Sequence, residues 1–281
     1  MTEITLRCSP DADDLFMMRA LLEGLIDTGT YRFTIDTSPT DALNRHASEG
    51  PTDVVALSFG HYPAVADTYQ LLPHGGSMGE GYGPVVIARE PLSIGDLSGK
   101  RVAIPGLTTS AWAVLQMIAP ELQPVVIPIV PYARIFDALR EGTVDAGLVI
   151  HEGRLTYADQ GFHSVVDIGE WWSDETGGLP LPLGANTIRR ELGETVIGEV
   201  SALLFESIRH ALEDRESAIE WLIARGSALG TPERVSQYLD MYANHRTLDY
   251  GPAGRAGIRE FYARAVRAGA LAAPPTLDFA P

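Results

Sequence analysis

The strongest constraint on this chain's fold is an alternation of short apolar segments with amphipathic helical ones, run through twice. Residues 4–8, 31–36 and 54–59 read as strands, and residues 15–26 and 40–48 between them repeat apolar positions at helical spacing. A strand, helix, strand order needs crossover connections and so implies a mostly parallel sheet. After a segment with glycines at 75, 76, 79, 81 and 83 the pattern restarts. Strands are expected at 85–88, 101–104, 125–130 and 146–150, with helices at 110–118 and 132–141. Two α/β units in one chain are the simplest account.

From Leu192 onward strand patterns stop and helices are expected at about 194–225, 232–243 and 255–268. The first carries Ile197, Val200, Leu204, Ile208 and Leu212, the three-to-four spacing of an apolar stripe that packs back on a sheet. Pro274 and Pro275 open an extended tail. The expected lobes are residues 1–88 with 186–281, and residues 89–185, with the chain crossing near 88 and 185. This is the α/β architecture of a two-lobed, type II periplasmic-binding-protein-like fold, with the C-terminal helices on the first lobe. A ligand cleft between lobes and a closing hinge at the glycine-rich segment are expected with it.

Charge and cysteine usage narrow the functions. The formal net charge is −16 over 281 residues, which argues against nucleic-acid or anionic-membrane partners, because phosphate contacts need clustered Lys and Arg. An anionic ligand must then be held by local hydroxyls and backbone N–H groups against the overall field. Cys8 is the only cysteine, so cysteine-ligated zinc or iron–sulfur centres are excluded. No apolar run reaches membrane-spanning length and no secretory leader is visible, so a cytoplasmic location is expected.

Ligands in α/β folds gather where strands end at their carboxyl termini. The expected strand at 146–150 ends at Ile150 and runs into His151-Glu152-Gly153-Arg154-Leu155-Thr156-Tyr157. An imidazole there is the side chain best poised to move a proton near neutral pH. Pro105 to Ala111 (PGLTTSA) follows a strand and opens a helix, so Thr108, Thr109 and Ser110 either cap that helix or frame a carboxylate. The carboxylate reading is preferred, since no other anion holder is evident. Ser58, at the end of the third strand, can hydrogen-bond a ligand or close a turn. Ser9-Pro10-Asp11-Ala12-Asp13-Asp14 offers helix-capping carboxylates and an incomplete metal-ligand set, so no metal is assigned.

The segments SPDADD, DVVALS, GEGYGP, PGLTTSA, IHEGRLTY, DIGEWW and LPLGANTIRR, with Asn244, Thr247, Asp249 and Gly251, occur in the order found in the 1,4-dihydroxy-6-naphthoate synthase family, which the chain resembles along nearly its whole length. The resemblance implies an enzyme of the futalosine route to menaquinone acting on cyclic dehypoxanthinyl futalosine, a small carboxylated substrate. It implies no cofactor, and His151 as the catalytic base. The expected substrate contacts are Ser58, Thr108, Thr109 and Ser110, joined by Asp14, Glu152, Arg154 and Asn186 from the matching segments. A monomer or homodimer is expected. The chain departs from the family pattern at Asp11, Ala12 and Asp13, where Cys-Pro-Asn is common, and at Leu155, where phenylalanine is common. Related alternatives are chorismate dehydratase of the same pathway and a non-catalytic binding protein for small anions.

Overall fold

The computed structural model describes residues 1–50, 52–129 and 133–281. The chain opens with β1 (Thr2–Cys8), α1 (Ala12–Leu22), β2 (Tyr31–Thr37), α2 (Thr40–Glu49) and β3 (Val54–Ser58), then β4 (Tyr69–Leu71) and β5 (Ser77–Gly79). It continues through β6 (Val85–Ala88), β7 (Arg101–Ile104), α3 (Ser110–Ile118), β8 (Gln123–Val126), α4 (Ala133–Glu141) and β9 (Ala146–Val149). Next come α5 (Gly153–Thr156), β10 (His163–Asp167), α6 (Ile168–Thr176) and β11 (Leu181–Arg189). The C-terminal part is helical: α7 (Glu194–Glu213), α8 (Arg215–Ala224), α9 (Pro232–Tyr242), α10 (His245–Leu248) and α11 (Gly251–Arg267).

Two compact units result. The first holds Met1–Ser77, Gly184–Gly251 and Pro275–Pro281. Its sheet runs β2-β1-β3-β11-β4, with β1, β2 and β3 parallel and β11 antiparallel to β3. In β1 the inward positions Ile4, Leu6 and Cys8 are buried, whereas all five residues of β3 are buried, as a central strand covered on both faces requires. Helix α7 turns Ile197, Val200, Leu204 and Ile208 inward, and Ser207 donates to the Met17 carbonyl of α1 at 2.7 Å.

The single helix expected at 194–225 is two helices, because the backbone leaves helical geometry at Asp214 (φ −108°, ψ 46°). Arg19 of α1 holds that break, donating to the Asp214 carboxylate at 3.1 Å and to the Ser217 hydroxyl at 2.5 Å. The tail beyond Pro275 is extended, as expected, and bridges β4: Leu71 N–H donates to Asp278 and Ala280 N–H to Leu71.

The second unit holds Met78–Leu183 and Pro252–Pro274, with sheet order β10-β6-β9-β7-β8. Helix α4 drives Ile135, Phe136 and Leu139 inward. A side chain at Gly147 of β9 would start 2.6 Å from Ile135, so glycine lets that helix lie close on the strand. Pro124 sits in β8, at the edge of the sheet, where a missing N–H is tolerated. The expected strand 125–130 and helix 132–141 extend onto residues 130 and 132, which lie outside the described residues.

Two boundaries differ from the sequence reading. Strand β6 pairs with β9 and β10, so the first division falls at 77/78 rather than near 88, whereas the return at 183/184 lies beside the crossing expected near 185. Residues 252–274 belong to the second unit, not to the first with the other C-terminal helices. The cause is local packing. A Cβ on Gly257 would stand 2.2 Å from the Pro180 carbonyl oxygen, and Phe261 lies against Trp172 with ring centroids 6.4 Å apart.

Candidate active-site residues

In the second unit, β7 and β9 are parallel neighbours, with Val102 beside Ala146 and Ala103 beside Gly147. The loops leaving both strands therefore emerge at one edge of the sheet. The start of β6 and the end of β10 reach the same edge, since Val85 pairs with both Val149 and Asp167. This arrangement collects His151, Glu152, Arg154 and the 108–110 segment on one rim.

Among the described residues His151 is the sole non-glycine with positive φ, at 51°. That left-handed conformation crowds Cβ against the backbone and costs an ordinary residue about 1 kcal/mol, although histidine accepts it more readily than most. Such strain persists only where the surroundings hold it, and it concentrates at functional positions. His151 is half-buried, and its chain neighbours Ile150 and Glu152 are 8% and 4% exposed. The single-turn helix α5 follows, with Arg154 N–H donating to the His151 carbonyl at 3.2 Å and the Thr156 hydroxyl donating to that of Glu152 at 3.3 Å.

Helix α3 begins as its sequence predicts, and Thr109 is its N-cap: the Oγ1 accepts from Trp112 N–H at 3.2 Å and donates to the Gly106 carbonyl at 3.0 Å. Both capacities of that hydroxyl serve the turn. Ser110 donates to the Leu183 carbonyl at 2.5 Å, whereas Thr108 is exposed. Capping and anion binding are thus compatible here, because the cap fixes a helix start whose first-turn dipole favours negative charge.

Arg154 is already committed within the protein. Its Nη1 donates to the Gly83 carbonyl at 2.9 Å and to Asp167 Oδ2 at 2.5 Å, and the guanidinium lies 5.8 Å from the Tyr82 ring centroid. Asp167 Oδ1 meanwhile caps α6, accepting from Gly169 N–H at 2.8 Å. The backbones of this corner touch: a Cβ on Gly169 would fall 1.9 Å from the Tyr82 carbonyl carbon. The sequence does not reveal the link between Asp167 and Arg154, thirteen residues apart, which depends on β10 pairing with β6.

The first unit gathers its own group where β1 and β3 end. Asn44 clamps Ser58: its Nδ2 donates to Ser58 Oγ at 3.2 Å, and its Oδ1 accepts from Ser58 N–H at 3.0 Å. With Oγ accepting from Asn44, the hydroxyl proton of Ser58 is a donor for a further group. Asn44 was missed, although a polar residue between Leu43 and Ala47 on the buried face of α2 is the signal that finds it.

Asp11 occupies the N-cap of α1 but makes no side-chain cap bond. Its carboxylate takes the Ser9 hydroxyl instead, and Asp14 Oδ2 accepts from Ser9 N–H at 2.6 Å. Asp13 accepts from Ser77 at 2.9 Å and Tyr238 at 3.1 Å. Asn186 pairs with Ala56 in the sheet and is 1% exposed, its Nδ2 lying against Gly75, where a Cβ would meet it at 2.2 Å. Burial, reinforced by Asp14, Asp11 and Asp13, raises the Cys8 thiol well above its usual range, which keeps it protonated and unreactive.

Comparison with known proteins places the chain. A family described as menaquinone biosynthesis matches residues 4–267. The 1,4-dihydroxy-6-naphthoate synthase of Thermus thermophilus is 38% identical over 274 residues, covering 98% of this chain and 97% of that one. A crystal structure of a protein from Archaeoglobus fulgidus shares 38% identity with a TM-score of 0.88, covering 96% of this chain and 98% of its own. The alkanesulfonate-binding protein SsuA of Xanthomonas axonopodis, 16% identical, superposes with a TM-score of 0.65 over 100% of this chain and 96% of its own, which shows a periplasmic-binding-protein-like fold. The chain belongs to the menaquinone-biosynthesis family that includes the 1,4-dihydroxy-6-naphthoate synthases.

Proposed function

We propose that this protein is a carbon–carbon lyase that converts cyclic dehypoxanthinyl futalosine to 1,4-dihydroxy-6-naphthoate. The observation that carries the reading is His151, held in a left-handed conformation at the carboxyl end of β9 in a chain of this family. Its imidazole accepts the proton of a substrate hydroxyl beside the bond to be broken. The oxygen's electrons form a carbonyl as the carbon–carbon bond opens, and the released pair passes to the ring side, which takes up a proton and becomes aromatic. Histidine suits both halves, since its protonated form returns the proton it removed.

The reacting molecule carries a carboxylate, and the start of α3 supplies a local positive potential in a chain of net negative charge. The reading takes the enzyme as cytoplasmic, cofactor-free and monomeric or homodimeric. Incubation with cyclic dehypoxanthinyl futalosine and, separately, with chorismate tests it. Formation of dihydroxynaphthoate from the first alone is expected. Consumption of chorismate, or calorimetric binding of the futalosine derivative without turnover, overturns the assignment.

A further inference from the structure

We propose that Arg154 is a positioning residue, which with Asp167 holds the His151 turn in its reactive conformation instead of binding substrate. The inference rests on the assignment of His151 as the base.

A four-residue helix such as α5 is far too short to sustain itself, and Glu152 at its N-cap position makes no side-chain cap bond. The turn must therefore borrow rigidity. Arg154 supplies it by reaching from α5 to two neighbouring strand ends, the Gly83 carbonyl before β6 and the Asp167 carboxylate closing β10. Both side chains are largely enclosed, at 16% and 8% exposure. One charge is neutralised by the other, and one nitrogen serves both acceptors. The guanidinium's Nε is buried without a hydrogen-bond partner.

The geometry couples the pair to the base through few atoms. Arg154 N–H donates to the His151 carbonyl, so the peptide carrying the anchored side chain is hydrogen-bonded to the residue with the strained backbone. Asp167 is fixed from its other oxygen by the first turn of α6, and Gly169 in that turn packs directly on the Tyr82 backbone. The base thus stands on a chain of contacts running from α6 through Asp167 and Arg154. An arginine whose Nη1 serves two protein acceptors has those donors directed into the protein, which is the opposite of what a substrate clamp requires.

The test compares Arg154→Met, Arg154→Lys, Asp167→Asn and the double variant Arg154→Met/Asp167→Asn in steady-state turnover of cyclic dehypoxanthinyl futalosine. Each single loss is expected to lower kcat by about 10- to 100-fold with KM changed less than about threefold. Arg154→Lys, which keeps a cation, is expected to recover part of the loss. Because the two side chains act as one unit, the double variant should be no slower than the worse single variant. The histidine ring signals in NMR of labelled protein should shift for His151 in all of them, a change that a remote structural role would not cause. An increase in KM confined to the Arg154 variants, multiplicative losses in the double variant, or unchanged His151 signals would overturn the proposal. If Arg154→Met does not fold, the same comparison of Arg154→Lys and Asp167→Asn decides it. Parent-like activity of His151→Ala instead removes the underlying assignment, independently of these outcomes.

Discussion

Replacing His151 by glycine or by alanine separates the residue's backbone from its imidazole. At φ 51° a side chain with a Cβ is strained by about 1 kcal/mol, and glycine is not. Alanine keeps the strain and loses the ring, while glycine loses both, at the cost of extra freedom in the unfolded chain worth about 0.5–1 kcal/mol. These terms oppose each other, so the glycine variant should equal or exceed the alanine variant in stability. At an ordinary helical or extended position glycine would be the weaker by that entropy. In calorimetric unfolding the glycine variant should melt no lower than the alanine variant, with a gain of up to about 1 °C. Both should lose about 10²- to 10⁴-fold in kcat, the span for a missing general base. A glycine variant clearly less stable than the alanine variant would refute the strained backbone. Parent-like turnover in either would refute the role of the ring.

The remaining predictions probe separate parts of the account. Thr108→Asp should raise KM at least tenfold and Thr108→Ala much less, because the added charge opposes an anion at the start of α3; steady-state kinetics with similar effects for both would place the carboxylate elsewhere. Gly257→Ala should destabilise the protein by about 1–3 kcal/mol in denaturant unfolding, since its Cβ would lie 2.2 Å from the Pro180 carbonyl oxygen. Burial lowers the His74 pKa to about 4 from the ordinary 6.5. The unfolded state then binds the extra proton in that window, so stability is full above about pH 6.5 and falls toward pH 4, by at most about 3 kcal/mol from this residue. His74→Gln should flatten that part of the pH–stability curve. Dialysis against a chelator should leave turnover unchanged, and a loss restored by a divalent ion would contradict the cofactor-free reading.

Much of the fold was legible because local patterns and tertiary burial agree. The strands at 85–88 and 101–104 and helix α3 occur where periodicity puts them, and the apolar stripe of α7 faces inward. The C-terminal helices were less so. Nothing in the spacing of Ile258, Phe261 and Ala265 states which sheet they cover, whereas the contact of Gly257 with Pro180 depends on backbone approach that glycine permits but does not announce. Strands β4 and β5 are three residues each, too short for a period to register.

The site divides in the same way. The positions of His151 and the 108–110 segment just beyond β9 and β7 were legible from the apolar strands that precede them. The left-handed backbone at His151 was not, because the neighbouring Gly153 would be the natural guess for such a conformation and takes a helical one instead. Thr109 proved to be the cap that its residue type suggests, and Arg154 turned inward to a partner that no sequence spacing reveals.

The most direct test of the central claim follows product formation from cyclic dehypoxanthinyl futalosine by the parent protein and His151→Ala side by side, with the folding of both checked by circular dichroism. The account predicts stoichiometric 1,4-dihydroxy-6-naphthoate from the parent and a rate at least 10²-fold lower from the folded variant. Equal rates from the two proteins, or no product from the parent, would contradict it.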